Sequence, residues 1–440
     1  MDSGPFDLSS SLQLCPSGRG QFPQEIFGEL VEYFTEECHR KDLLNLSLAS
    51  RSLRTEAQRV LFRSLGCPSS ESLSERANPI TTHCLFLLAI INSPTRLGPL
   101  VRTYTSAFLA FAPTDADEHD EESLPQSSDD IVIAGCRLWN ITLRALPLLT
   151  QLKDLTLFLE THRRKESESP VYHCTSILQR CNFALHSFSW YGPQSIMDGV
   201  DDLPEFLSRQ PNLRSLNLSR GTNAITYTLH PALMSQFTFS PGVLPLLQRV
   251  SGPCSLLQAL LSERRQIEAI ACTTLEHPQK SGLDDGAKTA LRGVRYLSWP
   301  NTGTLPDISP SLSSVEALYL KQIPLHWHRN MAALTHLKSL HVLILSFPLP
   351  NYRHPEIPNV QHNALRANTI PIMAKQAFDA CSPTLQSVYF ILSAATYMVF
   401  TLDDSGQVQR QVKQDFSEIV RLFRPWTPPG LSFQTIKDYL

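Results

Sequence analysis

Residues 312–320, LSSVEALYL, and 334–345, LTHLKSLHVLIL, carry the reading on which the fold rests. In the first, Leu318 and Leu320 alternate and Val315 stands three residues ahead; in the second, Leu340 and Val342 are assigned the same places, with Leu337 ahead of them. Alternation at a period of two sets such a pair on one face of a strand, while the residue three positions earlier packs under the incoming turn. One unit of this size cannot bury its apolar side. Stacked units can, by pairing their strands into a parallel sheet lined by helices, which builds a curved solenoid.

The pattern extends along most of the chain. Helical character over 82–92 and a break at Pro94 precede a strand near 101–107. Further strands carry Leu155 and Leu157, Phe188 and Trp190, Leu216 and Leu218, Ile270 and Cys272, Leu297 and Trp299, and Val388 and Phe390, with a weaker copy at Val250. Leu216 follows Phe188 by 28 residues, Leu297 follows Ile270 by 27, and Leu318 follows Leu297 by 21. These gaps fall in the period of roughly 20–29 residues that characterises leucine-rich repeats. Longer gaps, 33 residues from Leu155 to Phe188 and 48 from Leu340 to Val388, require insertions. An ordinary α/β domain of alternating elements is the competing reading, and the absence of a Gly-rich strand-to-helix turn counts against it. The last part reads as two strands joined at Asp404–Gly406 and a helix over Asp415–Phe423, a polar and atypical end for the stack.

Ahead of the repeats, residues 22–62 read FPQEIFGELVEYFTEECHRKDLLNLSLASRSLRTEAQRVLF, three short amphipathic helices. Pro23 suits a first helical position, and Ile26, Phe27, Leu30, Val31 and Phe34 recur at helical spacing. The second helix, opening at Asp42, carries Leu43, Leu44, Leu46, Leu48 and Ala49 and is apolar most of the way round. The third, Ser52–Phe62, has one stripe of Leu53, Ala57, Val60 and Leu61. A short helix apolar on two faces must bury both, and three helices of this size cannot cover it alone. It needs a partner. The chain therefore divides into a disordered tail at 1–20, a helical module at 21–66, a polar connector at 67–79 and a repeat domain at 80–440. An acidic loop at 114–130 and a second polar loop at His162–Ser169 interrupt the repeat domain.

Composition narrows the function classes. Only 18% of the 440 residues are charged, which favours stacked and largely buried elements, and a net charge of −3 offers no handle for nucleic acid or an anionic membrane. The ten cysteines form no CxxC pair, as expected of reduced thiols in a cytoplasmic or nuclear protein, and no apolar run is long enough to span a bilayer. Phosphate-binding glycine loops, a nucleophile elbow and HExxH are all missing from the sequence. His173, Cys174 and Cys181, or His326 and His328, fall short of the four ligands of a structural zinc site. Trp299 and Trp327 near Lys321 read more readily as core than as an aromatic contact patch. Neither catalysis nor a cofactor or metal is expected, and binding is.

The residues of the helical stretch carry a resemblance. Phe22, Pro23, Glu25 and Ile26, then Leu43, Leu44, Leu46, Leu48, Ala49, Ser50 and Arg51, then Leu61, Phe62 and Arg63 follow in order and spacing the pattern of the F-box. Phe22 stands where the family usually has leucine, and Ser52–Leu53 where many members have tryptophan. The arrangement as a whole is similar to the F-box proteins with degenerate leucine-rich repeats that abound in fungi. That resemblance implies a non-catalytic substrate receptor of an SCF-type cullin-RING ubiquitin ligase. Its F-box would bind the adaptor subunit, and through it a cullin, by Phe22, Pro23, Ile26, Leu30, Leu43, Leu44, Leu46, Leu48, Ser50 and Arg51. The repeats would hold a target protein, with Ser215, Asn217, Tyr319 and Ser339 as contacts alternating outward from the buried leucines. A repeat scaffold not coupled to ubiquitination is the alternative.

Overall fold

The computed structural model of the chain describes residues 24–34, 36–49, 51–66, 77–110, 137–161, 178–191, 202–219, 239–240, 242–263, 265–273, 282–300, 302–321, 331–346, 359–381, 383–393, 396–403, 405–414, 421, 423–424 and 426. The tail at 1–20, the acidic segment 114–130, the polar segment 162–169 and most of the connector lie outside these residues. The chain forms two compact units, Met1–Leu65 and Gly66–Leu440.

The first unit holds α1 (Gln24–Glu32), α2 (Glu36–Ala49) and α3 (Arg51–Leu61), with α3 packed against both of the others. Its core is Val31 from α1, Leu43 from α2, and Ala57, Val60 and Leu61 from α3, joined by Phe62 and Leu65. Arg59 fastens α3 to α1 by donating to Glu32 at 2.8 Å while also holding Glu56 at 2.8 Å. The second helix starts six residues earlier than its apolar pattern suggests. Its first turn is continuous with the rest across a kink at His39 (φ −121°, ψ 21°), whose ring meets Phe34 edge-on at 5.5 Å. Polar residues at 36–41 carry no apolar periodicity, and only tertiary packing stabilises a helix there.

The second unit is an α/β arrangement around one sheet whose strands pair in chain order. Strands β2 (Thr103–Ala110), β3 (Asp154–Thr161), β4 (Ser187–Tyr191), β5 (Ser215–Ser219), β6 (Arg249–Gly252), β7 (Ala269–Cys272), β8 (Tyr296–Trp299), β9 (Ala317–Leu320), β10 (Val342–Ser346) and β11 (Ser387–Ser393) are parallel. Strands β12 (Thr396–Leu402) and β13 (Val408–Lys413) then close the sheet antiparallel, so it is parallel in its larger part only. They are joined by a turn in which the Asp403 carboxylate accepts from the Ser405 and Gln407 amides at 2.9 and 2.8 Å. Repeated connections of one hand produce this order, because a parallel neighbour can be reached only by crossing over.

Register shows how the repeats stack. Leu155 pairs with Phe188, Phe188 with Leu216, Leu216 with Val250, Val250 with Ile270, Ile270 with Leu297, and Leu297 with Leu318. The next partner of Leu318 is Leu343, with Leu345 opposite Leu320. The assignment of Leu340 and Val342 to the strand is thus three residues early. Leu337 and Leu340 instead fill the places of Leu312 and Val315 under the incoming turn, and all four are buried. Four apolar residues at 337, 340, 343 and 345 allow either phase, and strand pairing chooses one. Just ahead of the strands a backbone ladder runs from unit to unit: the Lys153 amide donates to Arg102 O at 2.8 Å, Arg214 to His186 O at 2.8 Å, Arg295 to Glu268 O at 2.9 Å and His341 to Glu316 O at 2.8 Å.

Segments packed on the leucine side complete the core, among them 137–145, Cys254–Leu261 and Asn359–Cys381. Cys254, Leu256, Leu257, Leu260 and Leu261 are all buried in the second of these. At the start of the stack Tyr104 is fully buried in a place where later units carry leucine or phenylalanine. Its hydroxyl lies 3.2 Å from His83 Nε2 and 3.1 Å from Thr142 Oγ1, which satisfies a group that would be costly to bury alone.

Candidate functional site

Helix periodicity builds the candidate surface of the first unit. Along α1, Val31 points into the core and Phe27 is half-buried, whereas Ile26 and Leu30 keep 46% and 47% of their surface open to solvent. Tyr33, which follows them at positions i+7 and i+3, is 85% exposed. Along α2, Leu43 and Ser47 face inward, and Leu44 and Leu48 are 42% and 76% exposed. Leu46 lies between these classes and Arg51 is exposed. Two apolar stripes at helical spacing, Ile26–Leu30–Tyr33 and Leu44–Leu48, are therefore open on one small helical unit. Single exposed leucines are ordinary, but five large apolar residues at these spacings mark an interaction surface.

The structure separates the ten residues expected at this surface. Ile26, Leu30, Leu44 and Leu48 are exposed; Phe22, Pro23 and Ser50 lie outside the described residues. Leu43 is corrected: it is fully buried and belongs to the core. A run of leucines at consecutive and alternate positions spreads round a helix, so Leu43 and Leu44 cannot share a face. Tyr33 was missed, although its place three residues after Leu30 was visible in the sequence.

The expected contacts on the sheet are corrected as well. Ser215 and Asn217 point away from the leucine core as the alternation requires, yet both are buried, and the Asn217 amide donates to Tyr191 Oη at 2.7 Å. Tyr319 is 2% exposed, with its hydroxyl 3.1 Å from Ser346 Oγ and the Phe423 ring edge-on against its own at 4.8 Å. Ser339 belongs to the turn before β10 and not to a strand. A face that alternation makes polar is solvated only where nothing packs on it. Here chain from outside the strands does.

Charged and nucleophilic groups give this surface no chemistry. Burial pushes the thiols of Cys181 and Cys381 up to about 12, far from a reactive thiolate. Cys181 is a buried free thiol, and the His173 and Cys174 once grouped with it lie outside the described residues. The Tyr319 phenol is likewise raised by burial to about 12. Among the described residues no group of three His, Cys, Asp or Glu is placed to hold a metal ion. Trp299 is core, its indole N–H donating to Thr304 Oγ1 at 2.8 Å. On the edge of the sheet Arg295 forms an exposed ion pair with Glu316 at 2.8 Å and reaches Glu268 at 3.0 Å, and this hydrogen bond holds the Glu316 carboxyl below the usual carboxylate range. Among the described residues no helix is long and apolar enough to cross a membrane. No family model matches the chain, and no curated protein matches it.

Proposed function

We propose that this chain is the substrate-recognition subunit of an SCF-type cullin-RING ubiquitin ligase, an F-box protein whose leucine-rich repeats carry the target. The observation that carries the reading is the helical unit, which keeps Ile26, Leu30, Tyr33, Leu44 and Leu48 open while its own core is filled by Val31, Leu43, Ala57, Val60 and Leu61. Surplus apolar surface beside a complete core is what a helix-binding adaptor needs. The repeat-like parallel sheet supports the second half of the reading, since stacked units build an extended platform without a catalytic centre. The protein's contribution would be proximity: holding a target near a charged conjugating enzyme raises the effective concentration of its lysines.

The test is co-purification with the adaptor and cullin, using the wild-type chain and the pair Leu44→Asp and Leu48→Asp. Both leucines are exposed, so the pair leaves folding nearly unchanged, whereas loss of two central contacts weakens binding by at least about thirtyfold. Failure of the wild-type chain to bind the adaptor ends the proposal. Adaptor binding without cullin assembly would instead favour a repeat scaffold uncoupled from ubiquitination.

A further inference from the structure

The face of the sheet that points away from the leucine core changes character along the stack. One cross-strand row of paired residues runs through Ser189 and Asn217 to Ser298, and then through Tyr319, Ile344 and Tyr389. The first part is small and polar; from β9 onward it is large and apolar. Those last residues form one buried cluster with Ile391, Tyr397 and Val399. Their cover is supplied by two side chains distant in sequence. Phe423 is 5% exposed and meets the Tyr319 ring edge-on at 4.8 Å, and Trp426 lies 5.4 Å from Phe423 and stands edge-on to Tyr296 at 6.2 Å.

Two features distinguish this cover from core packing. Trp426 is only half-buried, yet its indole N–H is shut away from water and has no hydrogen-bond partner, a desolvation that core tryptophans such as Trp299 avoid. Charge is also mismatched. The covering segment carries Arg421 and Arg424 on either side of Phe423, while the Lys321 ammonium lies 5.7 Å from the centroid of the same Tyr319 ring that Phe423 covers. Like charges gathered around one ring repel over a Debye length of about 8 Å.

We propose that the sheet face over β8–β11 is a docking surface for a protein segment bearing Phe-x-x-Trp with acidic neighbours, and that Phe423 and Trp426 occupy it within the chain. The pair supplies the geometry that the face accepts: two rings three residues apart, one against Tyr319 and one against Tyr296. Carboxylates in place of Arg421 and Arg424 would meet Lys321 with opposite charge. This surface is independent of the adaptor reading and holds whether or not the helical unit engages a ligase.

The experiment measures fluorescence anisotropy of three labelled peptides on the full-length chain and on its Phe423→Ala, Trp426→Ala double variant. The peptides are residues 419–428 as they stand, the same with both arginines replaced by glutamate, and the acidic form with both aromatics replaced by alanine. The tethered segment competes at an effective concentration in the millimolar range, so the acidic aromatic peptide is expected to bind the variant at least about tenfold more tightly than the wild type. It should also outbind the arginine form, and the alanine form should not bind. Equal affinity for variant and wild type overturns the proposal, as does absence of binding to a variant whose circular dichroism matches the wild type. Self-association of the variant without peptide binding assigns the face to a second copy and overturns it too. If the variant does not fold, the wild type decides: hydrogen exchange at 421–426 must accelerate when the acidic peptide saturates, and unchanged exchange refutes the docking.

Discussion

Replacing Leu43 with alanine, and separately Leu44 with alanine, perturbs two adjacent residues of one helix to opposite ends. Leu43 has no solvent-exposed surface and sits in the core with Val31, Ala57 and Leu61, whereas Leu44 is 42% exposed. Truncating a buried leucine removes its transfer free energy and leaves a cavity, together worth roughly 3–5 kcal/mol. Truncating a surface leucine outside the core costs within about 0.5 kcal/mol. The helical unit is small, so the first loss is a large share of what holds it. Native-state hydrogen exchange on the full-length chain reads it directly through the amides of α3, which packs against α2. A loss of about 3 kcal/mol accelerates exchange on the order of a hundredfold for Leu43→Ala, against about twofold for Leu44→Ala. Adaptor capture, on the proposed function, runs differently: Leu44→Ala weakens it in a chain that remains folded. Similar exchange in both variants, or a larger effect from Leu44→Ala, would refute the assignment of core and surface in α2.

Three further outcomes follow from the second unit. Leu343→Ala is expected to lower stability to denaturant by about 2–5 kcal/mol and Val342→Ala by clearly less, since Leu343 is buried opposite Leu318 and Val342 is half-buried; the reverse order would restore the earlier strand phase. A methyl group added at Gly98 would lie 2.3 Å from the Leu148 carbonyl oxygen, so Gly98→Ala forces apart the turn before β2 and the following unit, and an unchanged melting temperature would contradict that contact. Arg295 depresses the Glu316 carboxyl, so its stabilisation is present above the unfolded glutamate range near about pH 4.3 and fades as pH falls through the lowered folded value. The melting temperatures of the wild type and Arg295→Gln, measured against pH, should differ slightly at neutral pH and converge in acid, the small size reflecting the exposure of the pair.

Much of the architecture was legible because apolar alternation reports a strand's inward face without tertiary information. Leu155, Phe188, Leu216, Ile270, Leu297, Leu318 and Val388 all occupy the paired inward position that their pattern indicates. Leu340 failed because its segment has apolar residues at spacings of both two and three, and local pattern cannot choose between phases. The helical surface was legible in kind, since too many leucines crowd α2 for one face. Which of them are spare was not, because that depends on where α3 packs.

Sequence by itself determined the period of the stack, the inward residues of most strands and the surplus apolar surface of the helical module, all of which follow from spacing along a chain of known local geometry. Tertiary structure alone decided the phase of β10, the antiparallel ending of the sheet, the burial of Leu43 beside an open Leu44, and the covering of Tyr319 by Phe423. The physical reason is common to all four: each depends on which distant segment arrives at a surface, and a residue's own neighbours in sequence carry no record of that.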